Sequence, residues 1–169
     1  MPALDVPSAP TGSTPPPQSP ATPPTVVGWL GYGGLIPFAA LAVASAVAPE
    51  HLAWWSPALQ SYGAVILSFV GALHWGFAMG LSDVPAAQRS ALFAWSVVPS
   101  LLAWPALLVG GGVGSSLLIA GFAAHFVQDL RLVRKTALPA WYLPLRLRLT
   151  ATACACLAVG AVSTVMSRG

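Results

Sequence analysis

The chain has 169 residues, of which 56% are hydrophobic and only 7% charged, and its mean hydropathy is +0.76. An ordinary soluble domain carries about 25% charged residues, and a single core of this length cannot hide so many apolar side chains, which excludes a soluble enzyme and a nucleic-acid module. The net charge of +3 rests on seven Lys/Arg against four Asp/Glu, an excess that fits membrane topology better than a phosphate-binding face.

Residues 1–25 carry nine prolines among Ser, Thr, Ala and Gly. Proline fixes φ and removes a backbone donor, so this tail is expected to be extended and disordered. It has no Lys or Arg and no long apolar run, and it reads as a linker-like extension, or a proline-motif docking segment, rather than a targeting sequence.

Five apolar stretches follow, each near the roughly 20 residues that a helix needs to cross a bilayer. They predict an all-α, polytopic integral membrane protein with transmembrane helices over about 26–48, 58–81, 90–109, 113–130 and 147–166. The runs are continuous and lack period-two alternation, which favours helices over a barrel. Pro37 in the first helix, and Pro99 and Pro105 in the third, withdraw donors from the carbonyls of Gly33, Trp95 and Leu101, so these kinks should face protein. Gly76 and Gly80 in the second helix form a G-x-x-x-G pair, and Ala40, Ala44 and Ala48 form a small-residue stripe in the first; both patterns suit close helix packing. Cys154 and Cys156 are two apart in the fifth helix, project to different sides and read as small hydrophobes.

Positive charge sets the orientation. Arg89, Arg131, Arg134, Lys135, Arg146 and Arg148 fall in two loops on one side, against Arg168 alone on the other. The amino terminus and both basic loops are therefore expected in the cytoplasm and the carboxyl terminus outside. Trp54 and Trp55 lie at the outer boundary, and Trp141 and Tyr142 at the inner one.

The strings LGYGGLIPF (30–38), SYGAVILSFVGALHWG (61–76), WSVVPSLLAW (95–104) and PAWYLPLRLRLT (139–150) resemble a bacterial domain-of-unknown-function family that includes the eukaryotic mitochondrial transmembrane protein 69. The resemblance covers residues 26–166. It implies a small polytopic protein of the bacterial inner membrane, or of mitochondria in eukaryotes, and brings no activity or catalytic residue with it. The amino terminus, unlike a transit peptide, favours a bacterial protein.

Polar groups within the bilayer are costly and mark the place to look for function. His74 in the second helix, and His125, Gln128 and Asp129 in the fourth, are the ones available. Both histidines sit about 8–10 Å from the same membrane face at 1.5 Å rise per residue. His125 and Asp129 are four apart on one helix face, and Arg131 is near enough in sequence to pair with Asp129. Three readings follow. The histidines bond to neighbouring helices; or they ligate a haem or a metal ion, with Asp129 as a third ligand; or they line a proton or solute path, for which five helices leave room only in an oligomer. A weak internal echo, Gly71…His74 against Gly121…His125, differs in spacing and reads as chance.

No Walker loop, G-x-S-x-G or H-E-x-x-H motif is present. The chain reads as a non-enzymatic accessory or assembly factor that binds other membrane proteins, without a cofactor; a haem- or metal-binding redox or transport protein is the alternative. The basic loop, with Arg134, Lys135, Arg146 and Arg148 for charge and Trp141 and Tyr142 for depth, is the candidate contact for anionic lipid.

Overall fold

The computed structural model describes residues 22–82 and 84–167; the proline-rich stretch up to residue 21 lies outside them. Among the described residues the fold is all-α, and its helices form five spans long and apolar enough to cross a membrane. Large apolar side chains such as Trp29, Val65, Phe69, Leu101 and Val162 face outward, the pattern of a protein solvated by lipid.

The first span is two helices, α1 (Thr25–Gly33) and α2 (Leu35–Val47). Pro37 lacks the N–H that would reach the Gly33 carbonyl, and its ring cannot pack there, so the helix restarts after Gly34 and the proline falls harmlessly in the new first turn. The Tyr62 hydroxyl donates to the Gly34 carbonyl at 2.8 Å and holds the joint. A short 3-10 turn, Pro49–His51, leads into α3 (Leu52–Gly80), followed by α4 (Ala86–Val109), α5 (Gly111–Val133) and α6 (Tyr142–Met166).

Helix α3 lies at the centre, packed against α2, α4, α5 and α6. Helix α5 turns back on α4 within one residue, because Gly110 adopts φ 63°, a conformation that costs any residue with a Cβ. A Cβ at Gly71 would sit 2.8 Å from the Pro99 ring, and one at Gly121 would sit 2.6 Å from Leu67. These glycines let α4 and α5 approach α3 closely. The sequence pointed instead to Gly76 and Gly80, but nothing lies within 4 Å of a Cβ at either; they face outward, and the close packing occurs one turn earlier.

The core has three levels. At one end Gln60 donates to the Gly111 carbonyl at 2.8 Å and to Ser115 at 3.0 Å, and Ser56 meets Thr164 at 3.2 Å. In the middle Leu59, Leu67, Leu118, Phe122 and Leu157 form an apolar layer. At the basic end lies a buried polar cluster.

Candidate functional site

Helices α3, α4, α5 and α6 each contribute to that cluster. Gly71 lies three residues before His74 and Gly121 four before His125, so the close approaches of the helices fall one turn from the histidines. The two imidazoles meet edge to face, with ring centroids 4.8 Å apart and planes at 71°. His74, His125 and Asp129 are 1%, 0% and 0% exposed.

The carboxylate of Asp129 organises the group. Its Oδ1 accepts from the Tyr142 hydroxyl at 2.9 Å, and its Oδ2 from Arg146 Nε at 2.8 Å. The same Oδ1 lies 3.8 Å from His74 Nε2 and 3.9 Å from His125 Nε2. Those distances are too long for hydrogen bonds, so both nitrogens of His74 and Nε2 of His125 are buried without partners. The Trp95 indole donates to His125 Nδ1 at 3.2 Å. An accepting Nδ1 leaves the proton of a neutral imidazole on Nε2.

One potential ligand atom from each of His74, His125 and Asp129 lies within 4.8 Å of the others. A tetrahedral site with ligands about 2.0–2.1 Å from the ion has neighbouring ligands about 3.4 Å apart. The His74–Asp129 and His125–Asp129 spacings of 3.8 and 3.9 Å exceed this by a few tenths of an ångström, and the group as a whole, spread over 4.8 Å, would have to draw in to hold an ion. Asp129 is already oriented by two donors, as metal-binding carboxylates commonly are. The histidine rings touch, so no space for a macrocycle lies between them. A cleft of about 210 Å³ opens from the basic end down to His74, between Gln88 and Trp95 on one side and Gln128, Arg131 and Lys135 on the other. Beyond the cluster the apolar layer of Leu67, Leu118 and Phe122 separates it from Gln60.

A family model described as protein of unknown function (DUF3429) matches residues 23–162. The chain belongs to this family. Transmembrane protein 69 of Xenopus tropicalis is 36% identical over 120 residues, covering 70% of this chain and 46% of that protein. Transmembrane protein 69 of Mus musculus is 28% identical over 121 residues, covering 70% and 48%. The chain spans about half the length of the curated relatives it matches. No solved structure matches it. The family implied by the four motifs is thus the family found, and this member is a multi-pass membrane protein.

Several expected site residues sit elsewhere than the sequence suggested. Asp129 pairs with Arg146, not with Arg131, whose guanidinium donates instead to Gln128 at 3.2 Å. Arg146 and Tyr142 were expected at the headgroups; they are 6% and 7% exposed, because helix α6 starts at Tyr142 and turns both toward Asp129. Arg134, Lys135 and Arg148 are exposed, and Trp141 is half-buried with its indole nitrogen unpartnered. Arg89 wraps the end of α3, donating to the carbonyls of Ala78 at 2.7 Å and Leu81 at 2.9 Å. Sequence reasoning missed Trp95, Tyr142 and Arg146 as members of the cluster. The signal for the last two was their spacing of four, legible only once the helix is begun before Pro144.

Proposed function

We propose that this family member is a non-enzymatic inner-membrane protein that holds one divalent first-row transition-metal ion at His74, His125 and Asp129. The observation that carries this reading is two buried, partnerless imidazole nitrogens, Nε2 of His74 and Nε2 of His125, at 3.8 and 3.9 Å from one carboxylate oxygen. Two imidazoles and a carboxylate with positions left open form a recognised transition-metal donor set. The cleft at His74 supplies an entry path, and Tyr142 and Arg146 hold the carboxylate in place. Asp129 is already neutralised by Arg146, so the remaining charge of the ion is met from the cleft, by hydroxide or an anionic ligand. The apolar layer beyond the site supports a centre open to one side rather than a through path.

The Trp95 bond favours a second reading, a hydrogen-bonded cluster around a trapped water. A metal on His125 Nε2 needs the ring proton on Nδ1, where Trp95 now donates. The two readings therefore diverge on Trp95→Phe. Freeing Nδ1 to carry the proton should tighten metal binding by about tenfold, the low end of the effect of outer ligand partners. In a water-filled cluster the same change removes a hydrogen bond and only lowers stability.

The test is metal analysis and cobalt(II) absorption of the purified full chain, with His74→Ala, His125→Ala and Trp95→Phe. One ion per chain, lost in both histidine variants and held more tightly by Trp95→Phe, is the expected result. A chain that takes up neither cobalt nor zinc, and whose variants only melt earlier, overturns the metal reading in favour of the water.

A further inference from the structure

A second cavity, of about 440 Å³, lies on the other side of Arg146, between α1, α2, α3 and α6. Its walls are apolar, formed by side chains such as Leu30, Phe69, Leu73, Phe122 and Leu149. The size is within the usual range for a small-ligand site. One end is different. There Trp141 and Arg146 join the lining, and each brings a buried donor without an acceptor, the indole Nε1 and the guanidinium Nη2. Arg146 is 6% exposed and uses its Nε on Asp129 at 2.8 Å, so its buried Nη2 has no acceptor within the chain.

We propose that this cavity holds an acyl chain of one anionic phospholipid, with a phosphate oxygen accepting from Arg146 Nη2 and Trp141 Nε1. An apolar groove facing lipid binds chains without selectivity. Two desolvated donors in its lining make one headgroup position specific, because a buried donor left unpaired is costly and a phosphate supplies several acceptor oxygens. The charge preference comes from outside the Asp129–Arg146 pair, which is neutral as a whole. Arg148 is exposed and bonded to the Tyr32 hydroxyl at 3.4 Å, next to the Leu30–Gly31 segment of the cavity wall. Arg134 and Lys135 are exposed in the loop that continues into the lining residues Leu138 and Pro139. Basic residues close to a membrane surface favour anionic lipid.

This site shares Tyr142 and Arg146 with the proposed metal centre, but its test residues Trp141 and Thr150, both in the cavity lining, are not among the metal ligands, so the two proposals fail independently. The experiment is native mass spectrometry of the delipidated full chain in mild detergent, offered phosphatidylglycerol, phosphatidylcholine or inorganic phosphate. One phosphatidylglycerol per chain should be retained in preference to phosphatidylcholine. Thr150→Phe, which fills the cavity, should lower retention by about tenfold, and Trp141→Phe, which deletes one donor and little volume, by several-fold at an unchanged melting temperature. Equal retention of the two lipids, or retention unaltered in both variants, overturns the proposal. So does protection by inorganic phosphate without lipid retention, which would make the site one for free anions.

Discussion

The Asp129 carboxylate meets Tyr142 at one oxygen and Arg146 at the other, so removing it strands two buried donors at once. Breaking a buried ion pair from one side costs about 3–5 kcal/mol, whereas replacing both partners by apolar groups of similar size is often close to neutral. Asp129→Leu should therefore lower the melting temperature sharply in detergent, and Asp129→Leu with Arg146→Met should recover most of the loss. A double variant as unstable as the single one would show that the pair is not what the carboxylate stabilises. At this scale the sequence disclosed half of the cluster. His125 and Asp129 lie one turn apart, and polar groups are so scarce in the apolar runs that His74 stands out. Arg146 did not, because the apolar run begins only after it. A proline in the first turn of a helix gives up a donor that has no partner there anyway, so Leu143-Pro144 is helical and Tyr142, Arg146 and Thr150 share its inner face.

The helices themselves follow from length and hydropathy, which is why five spans were legible; their starts were not. Helices α3 and α6 begin six and five residues earlier than hydropathy suggested, and each runs through a proline near its start, Pro57 and Pro144. Packing was misread as well. A G-x-x-x-G pattern permits close approach without saying which face is inward, and Gly76 and Gly80 face outward. The contrast can be tested with one chemical change at two sites. Gly71→Ala forces a methyl against the Pro99 ring and the Ser96 carbonyl, at 2.8 and 3.1 Å, neither of which yields easily. Overpacking of this kind costs about 1–3 kcal/mol, more than the gain of up to about 1 kcal/mol from helix propensity. Gly76→Ala meets open space and keeps only the gain. Thermal melting should fall for the first and hold or rise slightly for the second; the reverse order would mean that α3 and α4 do not meet at Gly71–Pro99.

For the molecule as a whole, the asymmetry of charge matches an asymmetry of structure. The hydrogen-bonded end is built from the uncharged Ser56, Gln60, Ser115 and Thr164, with Glu50 in the turn before α3, while the end holding the cleft and the polar cluster carries Arg89, Arg131, Arg134 and Lys135. These residues differ in what they can contribute to topology. Arg89 is engaged with the carbonyls that end α3, and Arg146 is consumed by Asp129. Exposed charge beside the membrane therefore rests chiefly on Arg131, Arg134, Lys135 and Arg148. The positive-inside bias counts such residues close to helix ends, and on that basis we propose that this end, with the amino terminus, faces the cytoplasm. An amino-terminal reporter should read cytoplasmic and a carboxyl-terminal one external. Arg146→Met should leave both signals in place, even though it removes a positive charge and destabilises the centre. Replacing Arg131, Arg134 and Lys135 together by Gln should instead give mixed orientation while leaving the Asp129–Arg146 pair intact. If the reporters in the unmodified chain read the opposite way, the cleft at His74 and the cavity beside Arg146 would both lie toward the outside, and the ion and lipid proposed for them would have to come from that compartment.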